Sequence, residues 1–269
     1  MKIATIDADH IFFMFHQKKV LDSFGEPIKE NNKFVYEPTT LEEAISKTDN
    51  YITNILNVTN ASHYVGFFGG SSKSRLDINP DYKQNRKDFT PPLHMQMLKN
   101  HLAAKWKFHW LSGCIDETDD YCASFVKQTP NSFIISPDKD LLGLESNHYN
   151  PKKNEWVYTP DSNAINNFWC SMICGDTVDN IFGLKNRGIK FYHYLTQDVS
   201  PLDAKVLGNI VFEAYVDYYQ YNYDLAIEEF YKNYKSLKIK EDLIIDSFVP
   251  IEWNNNIIND LEFDINQKE

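Results

Sequence analysis

The sequence predicts an α/β fold: a mostly parallel sheet flanked by helices, followed by a helical C-terminal part. Three observations carry this. Short apolar runs alternate with segments of helical spacing, acidic residues stand just beyond those runs, and after residue 161 the pattern becomes wholly helical. Residues 2–6 form an apolar run ending in Asp7, the pattern of a buried first strand with an acid at its carboxyl end. Thr39-Thr40 and Glu42-Glu43 open a helix whose Leu41, Ala44, Ile45, Ile52, Ile55 and Leu56 share one face. Residues 64–68 read as a second strand and 69–79 as a polar loop. A helix follows Pro91-Pro92 over 93–104, and a third strand is expected at 108–111. A helix over 117–128 precedes a fourth strand at 132–136, with Asp138-Lys139-Asp140 beyond its end and an edge strand at 156–158. Further helices are expected over 164–174, 188–196, 202–219 and 225–234. A boundary near Asn154 divides the chain into 1–154, an α/β part, and 155–269, a helical part. The tail after Lys240 is expected to pack back through Trp253 and Phe263 or to be partly loose.

In parallel sheets ligands collect at the carboxyl ends of the strands. Asp7 and Asp138 fall there, and the helix beginning at Glu117 starts near the same edge. Three motifs remote in sequence are therefore expected to meet in one place. Clustered carboxylates hold hard divalent cations, which prefer oxygen ligands and often sit against substrate phosphates. Glu117-x-Asp119 and Asp138-x-Asp140 each place two acids two residues apart. Helix capping explains either pair taken singly, but their joint occurrence in this context favours a metal site.

Composition narrows the class. The chain has 269 residues, 42% of them hydrophobic, enough for one large domain or one domain with a helical appendage. No apolar run of about eighteen residues occurs, so no transmembrane helix is expected. The N-terminus lacks the pattern of a signal peptide. Cys114, Cys122, Cys170 and Cys174 form no Cys-x-x-Cys pair, which argues against zinc and for reduced thiols, hence a cytoplasmic location. The formal net charge of −11 speaks against a nucleic-acid partner. The distribution speaks for one: residues 73–107 hold eight Lys or Arg against three Asp. Bound cations would also offset clustered acids. Gly66 to Ser74 lacks the Gly-Lys dipeptide of a phosphate loop, and no Gly-x-Ser-x-Gly occurs. These exclude a nucleoside-triphosphate site and side-chain nucleophilic catalysis.

Two loops complete the motif set. Tyr82-Lys83-Gln84-Asn85-Arg86-Lys87 places a Lys and an Arg three residues apart, able to face one phosphate. Gly175-Asp176-Thr177-Val178-Asp179-Asn180-Ile181-Phe182-Gly183 leads into Lys185, Arg187, Gly188 and Lys190 ahead of a helix. Such a loop offers backbone N–H groups and a positive helix end to a phosphate.

In this order, with Asp7, Glu117-Thr118-Asp119-Asp120 and Ser136-Pro137-Asp138-Lys139-Asp140, the motifs resemble the 5′→3′ exonuclease and flap endonuclease family, its bacteriophage members in particular. The resemblance spans about residues 1 to 220, and Gly-Asp-x-x-Asp-Asn-Ile is its most specific part. It implies a PIN-like α/β domain and a helix–three-turn–helix duplex-binding element over about 173–196. It also implies a short arch near 86–113. Asp7, Glu117, Asp119, Asp120, Asp138, Asp140, Asp176 and Asp179 would be ligands of two Mg²⁺ or Mn²⁺ ions. Lys83 and Arg86 would be catalytic. Arg75, Tyr82, Lys83, Arg86, Lys87, Lys185, Arg187, Gly188 and Lys190 would contact DNA, and K⁺ would sit at the helix–three-turn–helix element. The expected protein is a monomer acting on 5′ ends, nicks, flaps or RNA primers, in phage replication or recombination alongside replication proteins.

Two departures from the family pattern stand out. The family carries an aspartate after its second strand, but residues 63–74 contain no carboxylate. Asp9 and Asp77 are the candidates to replace it. The loop also has Asn186 where a third glycine is usual, a residue type that tolerates positive φ. The missing acid motivates a second reading, a structure-selective DNA-binding protein with a weakened or inactive site.

Overall fold

The computed structural model describes residues 1–86 and 90–253. Lys87 and Phe263, both singled out above, lie outside the described residues. In chain order the elements begin with β1 (Ile3–Asp7), α1 (Ile11–Met14), β2 (Gln17–Lys19), β3 (Lys29–Glu30), β4 (Lys33–Phe34) and β5 (Tyr36–Pro38). Next come α2 (Leu41–Val58), β6 (His63–Phe68), α3 (Lys73–Leu76), α4 (Met95–Ala104), β7 (His109–Trp110), α5 (Thr118–Gln128) and β8 (Ser132–Ile135). The chain continues with β9 (Ser146–Asn150), β10 (Glu155–Thr159), α6 (Asp161–Cys174), α7 (Ile189–Thr196), α8 (Ala204–Tyr218), α9 (Tyr223–Leu237) and β11 (Ile251–Glu252).

The main sheet runs β10-β9-β8-β1-β6, and β6 shares its outer edge between β7 and β11. β9, β8, β1, β6 and β7 are parallel, whereas β10 and β11 are antiparallel to their neighbours. β1 is the central strand, with Asp7 in register with Phe67 and Ile6 with Ile135. Every residue of β1 is buried, as a parallel strand covered on both faces must be.

Side-chain alternation along the strands makes two cores. Ala4, Ile6, Tyr64, Phe68, Phe133 and Ile135 pack against α2 and α4 through Ile52, Ile55, Leu56, Leu98 and Leu102. On the other face Ile3, Val65 and Phe67 meet Cys122 and Phe125 of α5, with Ile245 beyond them. A third core joins α6 to α9 through Met172, Ile173, Tyr192, Val211, Tyr215 and Ala226. Each fully buried Ile, Leu, Val, Phe or Met among these contributes about 1.5–3 kcal/mol. α2 begins where the sequence places it, because Thr40 and Glu43 form a reciprocal capping box. Among the described residues no helix is long and apolar enough to cross a membrane, and all four cysteines are free.

The structure differs from the sequence reading in three places. Residues 17–38 build two short antiparallel ribbons, β2 with β5 and β3 with β4. Their residues are mostly exposed and charged, so no apolar period marks them. β9 reads Ser-Asn-His-Tyr-Asn, too polar to suggest a sheet interior. Ser146 and His148 are nevertheless buried and satisfy each other at 2.8 Å. Finally, β11 joins the sheet although the sequence reads no strand there, while β10 is the edge strand expected at 156–158. The turn at 151–154 therefore joins two neighbouring strands, and the segment after α9 returns to the α/β part.

That return is fastened by a buried ion pair. Arg75 is 3% exposed and donates to both oxygens of Asp120, at 2.6 and 2.8 Å. Arg75 Nε also donates to the Ser236 carbonyl, while Asp120 accepts the Lys240 N–H at 2.9 Å. Nearby, β6 ends so close to the start of α5 that a Cβ on Gly70 would stand 2.4 Å from Thr118 N.

Arg75→Ala leaves the Asp120 carboxylate buried without its cation and is expected to cost about 3–5 kcal/mol. Urea unfolding measures this; a loss under about 1 kcal/mol would show that the pair does not hold the return segment. Gly70→Ala forces two backbones apart and is expected to cost about 1–3 kcal/mol in the same assay.

Candidate active site

Three parallel strand ends and one helix start meet at the carboxyl edge of the sheet. Asp7 closes β1, Asp138 follows β8 by three residues, Gly69-Gly70 follow β6, and Glu117 precedes α5. A cavity of about 680 Å³ opens there, with Asp7, Asp9, Asp119 and Asp138 in its lining, and Lys83, Arg86 and Lys152 beside them. A second cavity of about 310 Å³ adjoins it and shares Glu117, Asp119 and Lys139. Asp140, Asp176 and Asp179 line the second. The fold thus brings together seven of the eight acids that the sequence marks as ligands, across two connected cavities.

Those acids fall into two groups. Glu117 has Lys83 Nζ at 2.6 Å, Arg75 Nη1 at 3.1 Å and the Ser72 hydroxyl as partners. Burial works against its charge, yet Lys83 and Arg75 hold its carboxyl below the usual carboxylate range. Asp179 pairs with Arg86 and lies 3.6 Å from Lys83 Nζ. Lys139 Nζ reaches Asp176 at 3.0 Å and, against the pull of burial, keeps it below the ordinary value. Lys139 also lies 3.5 Å from Asp140, whose pKa burial and then Asp138 push up to about 6.

The other group has no ion pair among the described residues, although Lys99 acts on Asp9 and Lys83 on Asp119 from farther away. Among the described residues no Lys or Arg lies within 4 Å of Asp7, Asp9, Asp119 or Asp138. Burial, and then the charges of Asp9 and Asp138, push Asp7 up to about 7 even though Ser136 donates to it at 2.8 Å. Burial, and then Asp7, Asp138 and Glu117, hold Asp119 well above the carboxylate range. Oxygen-only donors that destabilise one another's charge suit a hard divalent cation. Among the described residues no three acidic, His or Cys side chains stand at the spacing of a closed ligand cage.

Lys83 is placed by a strained backbone. Its φ of 54° lies in the left-handed region, unusual for a residue with a Cβ. The Lys83 N–H donates to the Asp179 carbonyl at 2.9 Å, and Asn85 Nδ2 donates to the carbonyls of Thr177 and Val178. Asn180 Nδ2 donates in return to the Asp81 carbonyl at 2.7 Å. The basic motif and the Gly-Asp-x-x-Asp-Asn motif are therefore laced together although about ninety residues separate them. The latter loop is itself tight. Gly175 has φ +71°, and a Cβ on it would meet Gly183 N at 2.4 Å.

Several sequence expectations need correction. Asp120 is not a cavity acid: it is wholly buried and both its oxygens serve Arg75. Arg75 is correspondingly spent inside the protein and offers nothing to DNA. Tyr82 is 3% exposed, with its hydroxyl within hydrogen-bonding distance of Glu117 and Asp179, so its ring is a support and not a DNA contact. Of the two substitutes for the missing acid, Asp77 is exposed at the end of α3 and lines neither cavity. Asp9 accepts the Gly69 N–H at 2.8 Å and the Thr118 hydroxyl at 2.6 Å. Lys185, Arg187 and Gly188, between α6 and α7, and Lys190 in the first turn of α7 are exposed and line neither cavity. Asn186 adopts φ 63°, so the turn forms without glycine there. Sequence reasoning missed Lys152, which the turn between β9 and β10 delivers to the cavity, and no local signal marks it. It also missed Ser136 and Thr118, which fix Asp7 and Asp9.

Comparison with known proteins places the fold. Residues 3–167 match the family described as 5′-3′ exonuclease, N-terminal resolvase-like domain. A flap endonuclease Xni of Vibrio parahaemolyticus is 32% identical over 119 residues, 41% of this chain and 45% of that protein. A DNA polymerase I of Borreliella burgdorferi is 31% identical over 151 residues, 50% of this chain and 15% of that protein. The chain thus aligns with less than half the length of either relative. Among solved structures, a bacteriophage T5 flap endonuclease in a pseudo-enzyme–product complex with DNA and metal ions superposes with a TM-score of 0.58. It shares 16% identity, over 88% of this chain and 90% of that one. The catalytic core of Rad2 in complex with DNA substrate gives a TM-score of 0.50 at 16% identity, over 97% of this chain and 85% of that one. These structural likenesses are of fold. The sequence match covers residues 3–167 of 269, and on that match the chain belongs to the 5′-3′ exonuclease family.

Proposed function

We propose that this protein is a divalent-metal-dependent nuclease that hydrolyses phosphodiester bonds at DNA 5′ ends, nicks or flaps. The observation that carries this reading is a set of acids at the sheet edge, Asp7 buried, Asp9 and Asp119 half-buried and Asp138 exposed, with no Lys or Arg within 4 Å among the described residues, directly beside a set that has such partners. Asp7, Glu117, Asp119 and Asp138 would hold one ion, and Asp140, Asp176 and Asp179 a second. When bound, Mg²⁺ or Mn²⁺ supplies an acidified water and neutralises charge on the leaving oxygen. Lys83 sits against Glu117 and would turn to the scissile phosphate, and Arg86 would turn from Asp179 to the same group. Their positive charge stands at the cavity before substrate arrives and would stabilise charge developing in the transition state. The exposed Lys185, Arg187 and Lys190 precede or open α7, and would grip duplex phosphates together with the N–H groups of that helix start. The relatives named above, a flap endonuclease and a DNA polymerase I, support DNA as the substrate. Whether RNA primers are also cut, and whether the role lies in phage replication, belongs to the same proposal.

Asp138→Asn with Asp140→Asn is expected to abolish cleavage of 5′-flap and nicked duplex while leaving binding measurable by gel shift. Metal-dependent cleavage retained by that variant would remove the assigned site. Binding without cutting by the unaltered chain, in both Mg²⁺ and Mn²⁺, would instead make it a structure-selective binder. Lys83→Ala is expected to lower kcat about 10²–10³-fold with little change in KM. For Lys185→Ala, DNA affinity should fall uniformly across sequences, and the slope of log K against log salt should flatten by about 1.

A further inference from the structure

Asp9 enters the larger cavity from the loop after β1 and reaches the end of β6. Its Oδ1 accepts the Gly69 N–H at 2.8 Å and its Oδ2 accepts the Thr118 hydroxyl at 2.6 Å. A carboxylate oxygen can accept two hydrogen bonds, so each keeps a lone pair after these contacts. Asp7, Asp119 and Asp138 line the same cavity, and among the described residues no Lys or Arg lies within 4 Å of Asp9.

The backbone at the end of β6 cannot provide an acid itself. A Cβ on Gly70 would stand 2.4 Å from Thr118 N and 2.7 Å from the carbonyl carbon of Glu117. At Gly69 the φ is +72°, and a Cβ would meet the Trp110 ring at 3.0 Å. A carboxylate at this corner of the cavity has to come from another segment, and Asp9 is the one hydrogen-bonded there.

We propose that Asp9 is a further carboxylate holding the divalent cation beside Asp7, fixed in position by Gly69 and Thr118. The inference rests on the metal-dependent nuclease reading above. The competing role is a clip that only ties β1, β6 and α5 together. Asp9→Asn separates the two, because the carboxamide keeps an acceptor for Gly69 and a partner for the Thr118 hydroxyl while losing the charge.

The test titrates the full chain with Mn²⁺ in the absence of DNA, following free Mn²⁺ by electron paramagnetic resonance, with metal-free thermal unfolding measured alongside. Asp138→Asn is the control. Asp9→Asn is expected to raise the Mn²⁺ dissociation constant about tenfold or more, with a Tm equal to or above that of the unaltered chain because one repelling charge is gone. Unchanged Mn²⁺ affinity with a lowered Tm would make Asp9 a clip and overturn the inference alone. Loss of affinity in Asp138→Asn but not in Asp9→Asn would do the same. No Mn²⁺ binding by the unaltered chain would overturn the metal reading itself. Should Asp9→Asn not fold, Asp9→Ser, which retains an oxygen acceptor, takes its place with the same expected loss of affinity.

Discussion

Mutual repulsion among carboxylates gathered at one sheet edge is the constraint on which the rest of this structure depends. Two unit charges 4 Å apart interact by about 4 kcal/mol at an effective dielectric of 20. Several such pairs would rival the whole stability of a typical domain. The protein relieves part of this with its own cations. Arg75 takes Asp120, Lys83 takes Glu117, Arg86 takes Asp179 and Lys139 takes Asp176. Asp7 and Asp119 have no ion-pair partner among the described residues, and burial first, then the neighbouring carboxylates, raise both of their pKa values.

The scaffold around the acids serves the same end. β1 is buried throughout and β8 from Phe133 to Ile135, so the strand ends are fixed by apolar packing and not by the polar groups they present. The close approach of Gly70 to α5 brings Glu117 and Asp119 toward Asp7. The segment after α9 returns to cap the sheet and to complete the environment of Asp120. The left-handed backbone at Lys83 and the hydrogen bonds from Asn85 and Asn180 carry the basic motif onto the acidic one.

Much of this was legible in the sequence. The apolar run before Asp7 and the capping pair Thr40 and Glu43 are local signals, and each appears in the structure where local rules place it. The converging acids were legible too, because parallel strands present their carboxyl ends on one side. The sequence misjudged Asp120, Arg75 and Tyr82, whose types suit both an exposed site and a buried support. It overlooked β9 and the ribbons over 17–38, where polar residues pair with one another and leave no apolar period.

Type and order of residues determined the element sequence, the parallel sheet and the identity of the acids, since these follow from periodicity and from strand and helix signals within a few residues. Only the tertiary structure decided which acids carry a cationic partner and which do not. It also decided that Asp9 rather than Asp77 stands at the end of β6, and that Lys152 faces the cavity. Those outcomes depend on distances between segments scores of residues apart, and charge interactions are set by distance and burial, neither of which a local pattern encodes.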